Sequence, residues 1–212
     1  AANVKPQVGT PLAPNAGDDY IKPYVIHEVD GQQVGIIGID IAGKTQNSSS
    51  PLDTTEFLDE QETAQAMIDE LADQGVNKII LLTHYQYQND LEMAANLSGV
   101  DVIIGGDSHT LLGDFADYGL AASGDYPTIV TNADGDQACV AQAWQYSQVV
   151  GELNVEWDAD GNVTACAGVP YLLLGDSITR KTADDESYEP EGTERQQILA
   201  AVDADAQLSL TS

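Results

Sequence analysis

Val100-Asp101-Val102-Ile103-Ile104-Gly105-Gly106-Asp107-Ser108-His109-Thr110 is the stretch that decides the fold. A short apolar run ends in two glycines, and a carboxylate and an imidazole follow two residues apart. The run reads as a buried strand. The glycines allow a sharp turn and a close approach of the backbone to a neighbour. Asp107 and His109 therefore fall on the loop at a strand's C-terminal end, the edge of an open α/β sheet where ligands bind. Asp and His so placed can hold a divalent metal.

Lys78-Ile79-Ile80-Leu81-Leu82-Thr83-His84 repeats the design upstream, with a histidine at the end of another apolar run. Between the two runs, Leu91, Ala94, Ala95 and Leu97 recur at helical spacing within Gln88–Ser98. Asp90 or Asn89 can cap the start of that helix and Gly99 can end it. The unit is strand, helix, strand, with parallel pairing and a right-handed crossover expected. His84 then shares one sheet edge with Asp107 and His109. The chain has three histidines, His27, His84 and His109, and two of them end strands of this unit. A single histidine at a strand end is most often structural; two such ends on one edge make a metal site an equal reading. Three side chains fill part of a site and cannot complete a two-metal hydrolytic centre.

Around this unit the pattern is mixed. Tyr24–Val29 and Gln33–Ile39 flank Asp30-Gly31, a hairpin signal, and His27 inside the first strand reads as structural. Residues 42–55 read as a Ser/Thr/Asn-rich loop. Glu56–Gln74 reads as one helix with Phe57, Leu58, Ala64, Met67, Ile68 and Leu71 inward, stopped by Gly75. Residues 113–125 form a long acidic loop. Tyr126–Asn132, Gln137–Trp144, Gly151–Trp157 and Val163–Leu173 read as strands joined by Asp/Gly turns, with Trp144 and Tyr146 as packing residues. Asp158-Ala159-Asp160-Gly161-Asn162 echoes a calcium loop but lacks the later bidentate Glu, so it reads as a hairpin turn. From Asp176 the chain turns polar: Thr182–Gly192 is a linker and Thr193–Leu208 a helix with Ile198, Leu199 and Val202 on one side.

The 212 residues suffice for one good core. Against 7 Lys plus Arg stand 35 Asp plus Glu, a formal net charge of -28. Such a chain repels nucleic acid and anionic membranes. Adaptation to a salty habitat accounts for the charge; a cation-loaded surface is the rival explanation. Cys139 and Cys166 each sit in an expected strand, where a disulfide between neighbours is easy to form. Bonded, they indicate an oxidising compartment; two buried free thiols remain the alternative. No apolar run is long enough to cross a bilayer.

Several pieces follow one another in a familiar order: Leu82-Thr83-His84, Gln88-Asn89-Asp90, Gly105-Gly106-Asp107-Ser108-His109-Thr110-Leu111-Leu112, Tyr126–Gly135, Gln142-Ala143-Trp144-Gln145-Tyr146 and Gly151–Val155. On these residues the sequence resembles the 5′-nucleotidase family of calcineurin-like metallophosphoesterases, in its bacterial periplasmic branch that includes NAD nucleotidases. The resemblance covers roughly residues 1–176. It implies a four-layer α/β/β/α sandwich and hydrolysis of nucleotide phosphate esters with two bridged divalent metals (Mn, Zn, Mg or Ca). It implies His84, Asp107 and His109 as metal ligands, and none of them as acid or base. Asp107 stands where many members have the first histidine of Gly-Gly-His-Ser-His; a carboxylate there favours Mn²⁺, Mg²⁺ or Ca²⁺ over Zn²⁺. Gln86 stands where the family usually has glycine.

Family members open with a strand that ends in Asp-x-His, followed by a Gly-Asp and an Asn-His-Glu segment, and that succession does not precede the residues that carry the resemblance here. The chain is therefore expected to be a fragment: residues 1–176 as the second part of a catalytic domain lacking its N-terminal βαβ units, and 177–212 leading to a further domain. The parent is expected to be periplasmic or secreted and to act in nucleotide catabolism. An acidic cation-binding fragment, or an assembly subunit that pairs with its own N-terminal half, are the alternatives.

Overall fold

The computed structural model describes residues 1–17, 21–174, 180–181 and 187–188. Its strands and helices run β1 (Val4–Lys5), β2 (Tyr24–Val29), β3 (Gln32–Asp40), α1 (Ala42–Ser48), β4 (Glu56–Phe57), α2 (Glu60–Asp73), β5 (Ile79–His84), α3 (Tyr87–Asn96), β6 (Val102–Ile104), β7 (Thr128–Thr131), β8 (Gln137–Ala141), β9 (Val149–Trp157), β10 (Val163–Leu172), β11 (Arg180–Lys181) and β12 (Ser187–Tyr188). Eight strands make one mixed sheet in the order β2-β3-β5-β6-β8-β10-β9, with β7 paired to β8. Strands β3, β5, β6 and β8 are mutually parallel, and β2, β7, β9 and β10 join antiparallel. The expected strand-helix-strand unit is β5-α3-β6, with Ile80 opposite Val102. Among the described residues no helix is long and apolar enough to cross a membrane. The helix expected at Thr193–Leu208 lies outside the described residues, as does most of the linker before it.

The core forms on one face of the parallel strands. Ile37, Ile39, Ile79, Leu81 and Ile103 alternate inward and meet Ala64, Ile68 and Leu71 of α2 and Met93 and Ala94 of α3. Each isoleucine, leucine or methionine among them contributes about 1.5–3 kcal/mol when fully buried. The other face is incompletely covered. Leu82 and Ile104 are 46% and 42% exposed, and Leu82 shares its face with His84 because alternate residues of a strand point the same way.

Two helices differ from the sequence expectation. Helix α2 starts at Glu60, not Glu56, because Glu56–Phe57 pair with β1 and Asp59 caps the helix by accepting from the Glu62 N–H at 2.9 Å. Residues 42–48, expected as loop, form α1. Their composition is poor for a helix, and α1 buries none of its residues. Contacts from elsewhere hold it: the Ala42 N–H donates to Glu60 Oε1 at 2.8 Å, and the Ile41 N–H donates to the His84 carbonyl at 3.0 Å.

Cys139 on β8 and Cys166 on β10 are joined as a disulfide with Cα atoms 6.4 Å apart. The Asp158–Asn162 segment is a hairpin turn: Asp158 Oδ1 accepts from the N–H groups of Asp160 and Asn162, each at 2.9 Å. Its tip docks on the start of β5, where Asn77 Nδ2 donates to the Asp160 carbonyl at 2.9 Å. Gly161 has φ +97°, and a methyl group there would run into the Asn77 backbone carbonyl. Gly161→Ala should therefore cost about 1–3 kcal/mol, from combined strain and overpacking. At roughly 2–4 °C per kcal/mol for a chain of this size, thermal unfolding should show a loss of several degrees. An unchanged midpoint would mean that the hairpin tip is free of β5.

Candidate metal centre

Four parallel strands end along one edge, and the chemistry gathers there. Asp40 ends β3 and is in register with His84 at the end of β5. Asn3 holds this corner: its Nδ2 donates to the Asp40 carbonyl at 2.7 Å and its Oδ1 accepts from the Asp40 N–H at 3.0 Å. The loop after β6 then delivers Asp107, Ser108 and His109, and Gln142 follows β8.

The His84 imidazole stands between two carboxylates. Its Nε2 lies 3.6 Å from Asp107 Oδ1, and its Nδ1 lies 3.7 Å from Asp40 Oδ1. The ring is 59% exposed, whereas the Asp107 side chain is only 4% exposed. Asp107 is covered by Lys44 of α1, whose ammonium bonds Oδ1, and by Gln86, whose Nε2 donates to Oδ2 at 2.9 Å. Burial alone would raise its pKa. The hydrogen bonds from Lys44 and Gln86, with the charges of His84 and Lys44, outweigh burial and hold the carboxyl below its ordinary value.

Expected and observed backbone geometry differ in this loop. The glycines were expected to make the sharp turn, yet the left-handed residues are Asp107 (φ 70°) and His109 (φ 52°). Gly105 and Gly106 serve close approach instead. A methyl group on Gly105 would collide with Asp90 Oδ2, and one on Gly106 would lie 3.2 Å from the Thr83 carbonyl. Gln142 stitches the loop down: its Nε2 donates to the Gly106 carbonyl at 3.0 Å, and its Oε1 accepts from Ser108 Oγ at 3.1 Å and from the Thr110 N–H.

Two further residues belong to this neighbourhood. Asp90 does not cap α3; it lies within the helix, fully buried, and accepts from Thr83 Oγ1 at 2.7 Å. The position before the helix is Gln86, with φ 82°, a conformation natural to glycine and strained in other residues. That explains why glycine suits this place. Here the Gln86 side chain is bonded to Asp107.

His109 is not in contact with the His84–Asp107 pair. Its ring packs edge-on against Tyr146, with centroids 5.0 Å apart. Tyr146, expected to be a packing residue, is 79% exposed. It sits at φ 49° between Trp144 and Ser147, which are also left-handed. His27 is exposed on the edge strand β2. Among the described residues no three His, Cys, Asp or Glu side chains form a group that could hold a metal. The pair itself suits a divalent ion, since two ligands each about 2.1 Å from one metal stand about 3–3.5 Å apart. A cation at Asp107 Oδ1 has to displace the Lys44 ammonium. Two donors also fall short of the three protein ligands usual in a hydrolytic site, so this is part of a site. Asp40 and Lys44 escaped the sequence reading. Asp40 ends the apolar run Gly35–Ile39 as His84 ends its own run, a signal of the same kind; Lys44 carries no such mark.

The parallel strands, helix-covered face and loaded C-terminal edge define an α/β fold. The solved calcineurin-like phosphoesterase of Bacillus subtilis shares it at 22% identity and TM-score 0.60, over 84% of this chain and 57% of that one. By sequence its relatives are 5′-nucleotidases. A probable 5′-nucleotidase of Treponema pallidum is 39% identical over 203 residues, which is 93% of this chain and 34% of that protein. The solved NAD nucleotidase of Haemophilus influenzae is 36% identical with TM-score 0.83, over 100% of this chain and 41% of that one. The chain thus spans about a third of the length of the curated relatives it matches. No family model matches.

Proposed function

We propose that these residues form part of the active centre of a metal-dependent hydrolase of nucleotide phosphate esters. The observation that carries this reading is the exposed His84 imidazole set 3.6 Å from the buried Asp107 carboxyl at the C-terminal edge of the sheet. His84 and Asp107 bind a divalent cation, and His109 joins them as third ligand only on turning away from the Tyr146 ring that it packs against. Asp40, behind Nδ1 of His84, orients the ring as carboxylates behind metal-binding histidines do. When bound, divalent metals lower the pKa of water and spread the charge that develops on phosphorus. The carboxylate in the set favours Mn²⁺, Mg²⁺ or Ca²⁺ over Zn²⁺.

The remaining ligands come from polypeptide outside these 212 residues. Parallel strands are normally covered on both faces, and here the face that carries His84 leaves Leu82 and Ile104 half open. A preceding βαβ layer of the same protein covers it and completes a four-layer sandwich. Residues 1–176 are the second part of that domain, and 177–212 lead onward. Mass spectrometry of the purified protein shows whether that layer is a separate polypeptide. The Cys139–Cys166 bond suits a periplasmic or secreted protein.

The test is phosphate release from 5′-AMP with Mn²⁺. These residues alone should release little or none. A longer protein that carries Asp-x-His and Asn-His-Glu segments ahead of them should release it, and a chelator should stop the reaction. Release that ignores the chelator, or vigorous turnover by these residues alone, would count against the reading.

The surface charge belongs to the same proposal. With a net charge of -28, self-repulsion opposes folding, and screening shortens its reach from about 10 Å at 0.1 M salt to about 3 Å at 1 M. The melting temperature should rise steadily from dilute buffer to molar NaCl. A midpoint indifferent to salt would refute adaptation to a salty medium.

A further inference from the structure

Asp90 is a buried acid for which the proposed chemistry has no use. It lies on α3 and is 0% exposed. Its Oδ1 accepts from Thr83 Oγ1 at 2.7 Å, and its Oδ2 has no hydrogen-bond partner. That second oxygen lies against Gly105, close enough to exclude any side chain there. Thr83 immediately precedes His84, and Gly105 stands two residues before Asp107. An unpartnered buried oxygen is destabilising by about 1–3 kcal/mol, so stability alone does not favour an acid here. A leucine would fill the same space without that cost.

The geometry points to Asp90 as a positioning residue that spans the ends of β5 and β6 and sets the spacing between the His84 imidazole and the Asp107 carboxyl. The role rests on these two being metal ligands, as proposed above. Groups behind metal ligands commonly change metal affinity by about 10–100-fold when removed. Asparagine has the same shape, and its amide oxygen can accept from Thr83. It therefore reproduces the buried carboxyl in its neutral form, which burial favours.

The experiment reads the imidazole carbon-bound protons of this chain by NMR. There are three histidines, and exposed His27 on β2 serves as the internal reference. In the metal-free chain, Asp90→Asn should leave His84 where the unmodified chain has it, and Asp90→Ala should move His84 without moving His27. On titration with Mn²⁺, His84 should broaden at the same concentration in the unmodified chain and Asp90→Asn. Asp90→Ala should need about tenfold more. If Asp90→Ala does not fold, which displacement of His27 would reveal, Thr83→Val decides: it removes the Asp90 contact and should move His84 likewise. An unmoved His84 in either variant, or Asp90→Asn as damaging as Asp90→Ala, overturns the positioning role. A His84 in the unmodified chain that ignores Mn²⁺ overturns the metal reading and with it the role. Intact Mn²⁺ binding with His84 unmoved in Asp90→Ala overturns the role alone.

Discussion

His84→Ala should lower kcat/KM for 5′-AMP hydrolysis by more than about a hundredfold, in a protein that carries this chain together with the remaining ligands. Removing a group behind a metal ligand already costs about 10–100-fold, so removing His84, a ligand in the proposed centre, should exceed that range. A hundredfold loss corresponds to about 2.7 kcal/mol of transition-state stabilisation. The loss should fall on activity and not on folding, because the His84 ring is 59% exposed and surface side chains contribute little to stability. Asp40→Asn tests the same geometry from behind. It should cost about 10–100-fold, since it leaves the ring in place with a weaker orienting partner. If His84→Ala stayed folded and kept half its activity, the centre would have to lie elsewhere in the protein.

Asp90→Asn should gain stability over the unmodified chain as the pH rises. Burial pushes the Asp90 carboxyl up to about 7, against the lowering effect of its Thr83 hydrogen bond. Burial likewise pushes Asp101 up to about 7, opposed chiefly by the Ile79 N–H that its carboxylate accepts at 2.6 Å. An unfolded aspartate ionises near 3.9. Between about pH 4 and 7 the folded chain therefore holds two protons that the unfolded chain has released. Stability falls wherever the unfolded state binds fewer protons. It is therefore unpenalised below about pH 4, declines through the window and levels off above about 7. Three pKa units at about 1.36 kcal/mol each give roughly 4 kcal/mol per group.

Asparagine removes the Asp90 share. The variant should match the unmodified chain near pH 4 and exceed it by up to about 4 kcal/mol at pH 8, about 10 °C in melting temperature for a chain of this size. The acidic surface adds a slope of the same sign, so the quantity to measure is the difference between the two proteins in high salt. A difference that stays constant from pH 4 to 8 would show that Asp90 is ionised in the folded chain.

These two side chains also mark the boundary between what could be read and what could not. The apolar runs Ile79–Leu82 and Val102–Ile104 could become little else than buried strands. Each is too short for a helix and is bounded by polar or glycine residues. Their parallel pairing, the helix between them and the placing of His84 and Asp107 on one edge followed from connectivity. The Asp30-Gly31 and Asp158–Asn162 turns were equally legible, because few residues accept their backbone angles.

Where short-range preference was weak or divided, tertiary contacts decided. Asp90 looked like a helix cap, since carboxylates commonly are; packing against Thr83 and Gly105 made it a buried acid. Residues 42–48 have no strong preference of their own, and bonds to Glu60, His84 and Asp107 from distant parts of the chain made them a helix. That helix brought Lys44 to Asp107, a contact 63 residues apart in sequence that no local pattern foretells. The chain's own sequence determined most of the sheet strands, their parallel unit and the placing of His84 and Asp107 at its edge, because periodicity and turn chemistry act over a few residues. The tertiary structure alone decided which carboxylate stands behind His84, which cation covers Asp107 and which oxygen is left without a partner, because those depend on the packing of segments that meet only when the sheet has formed.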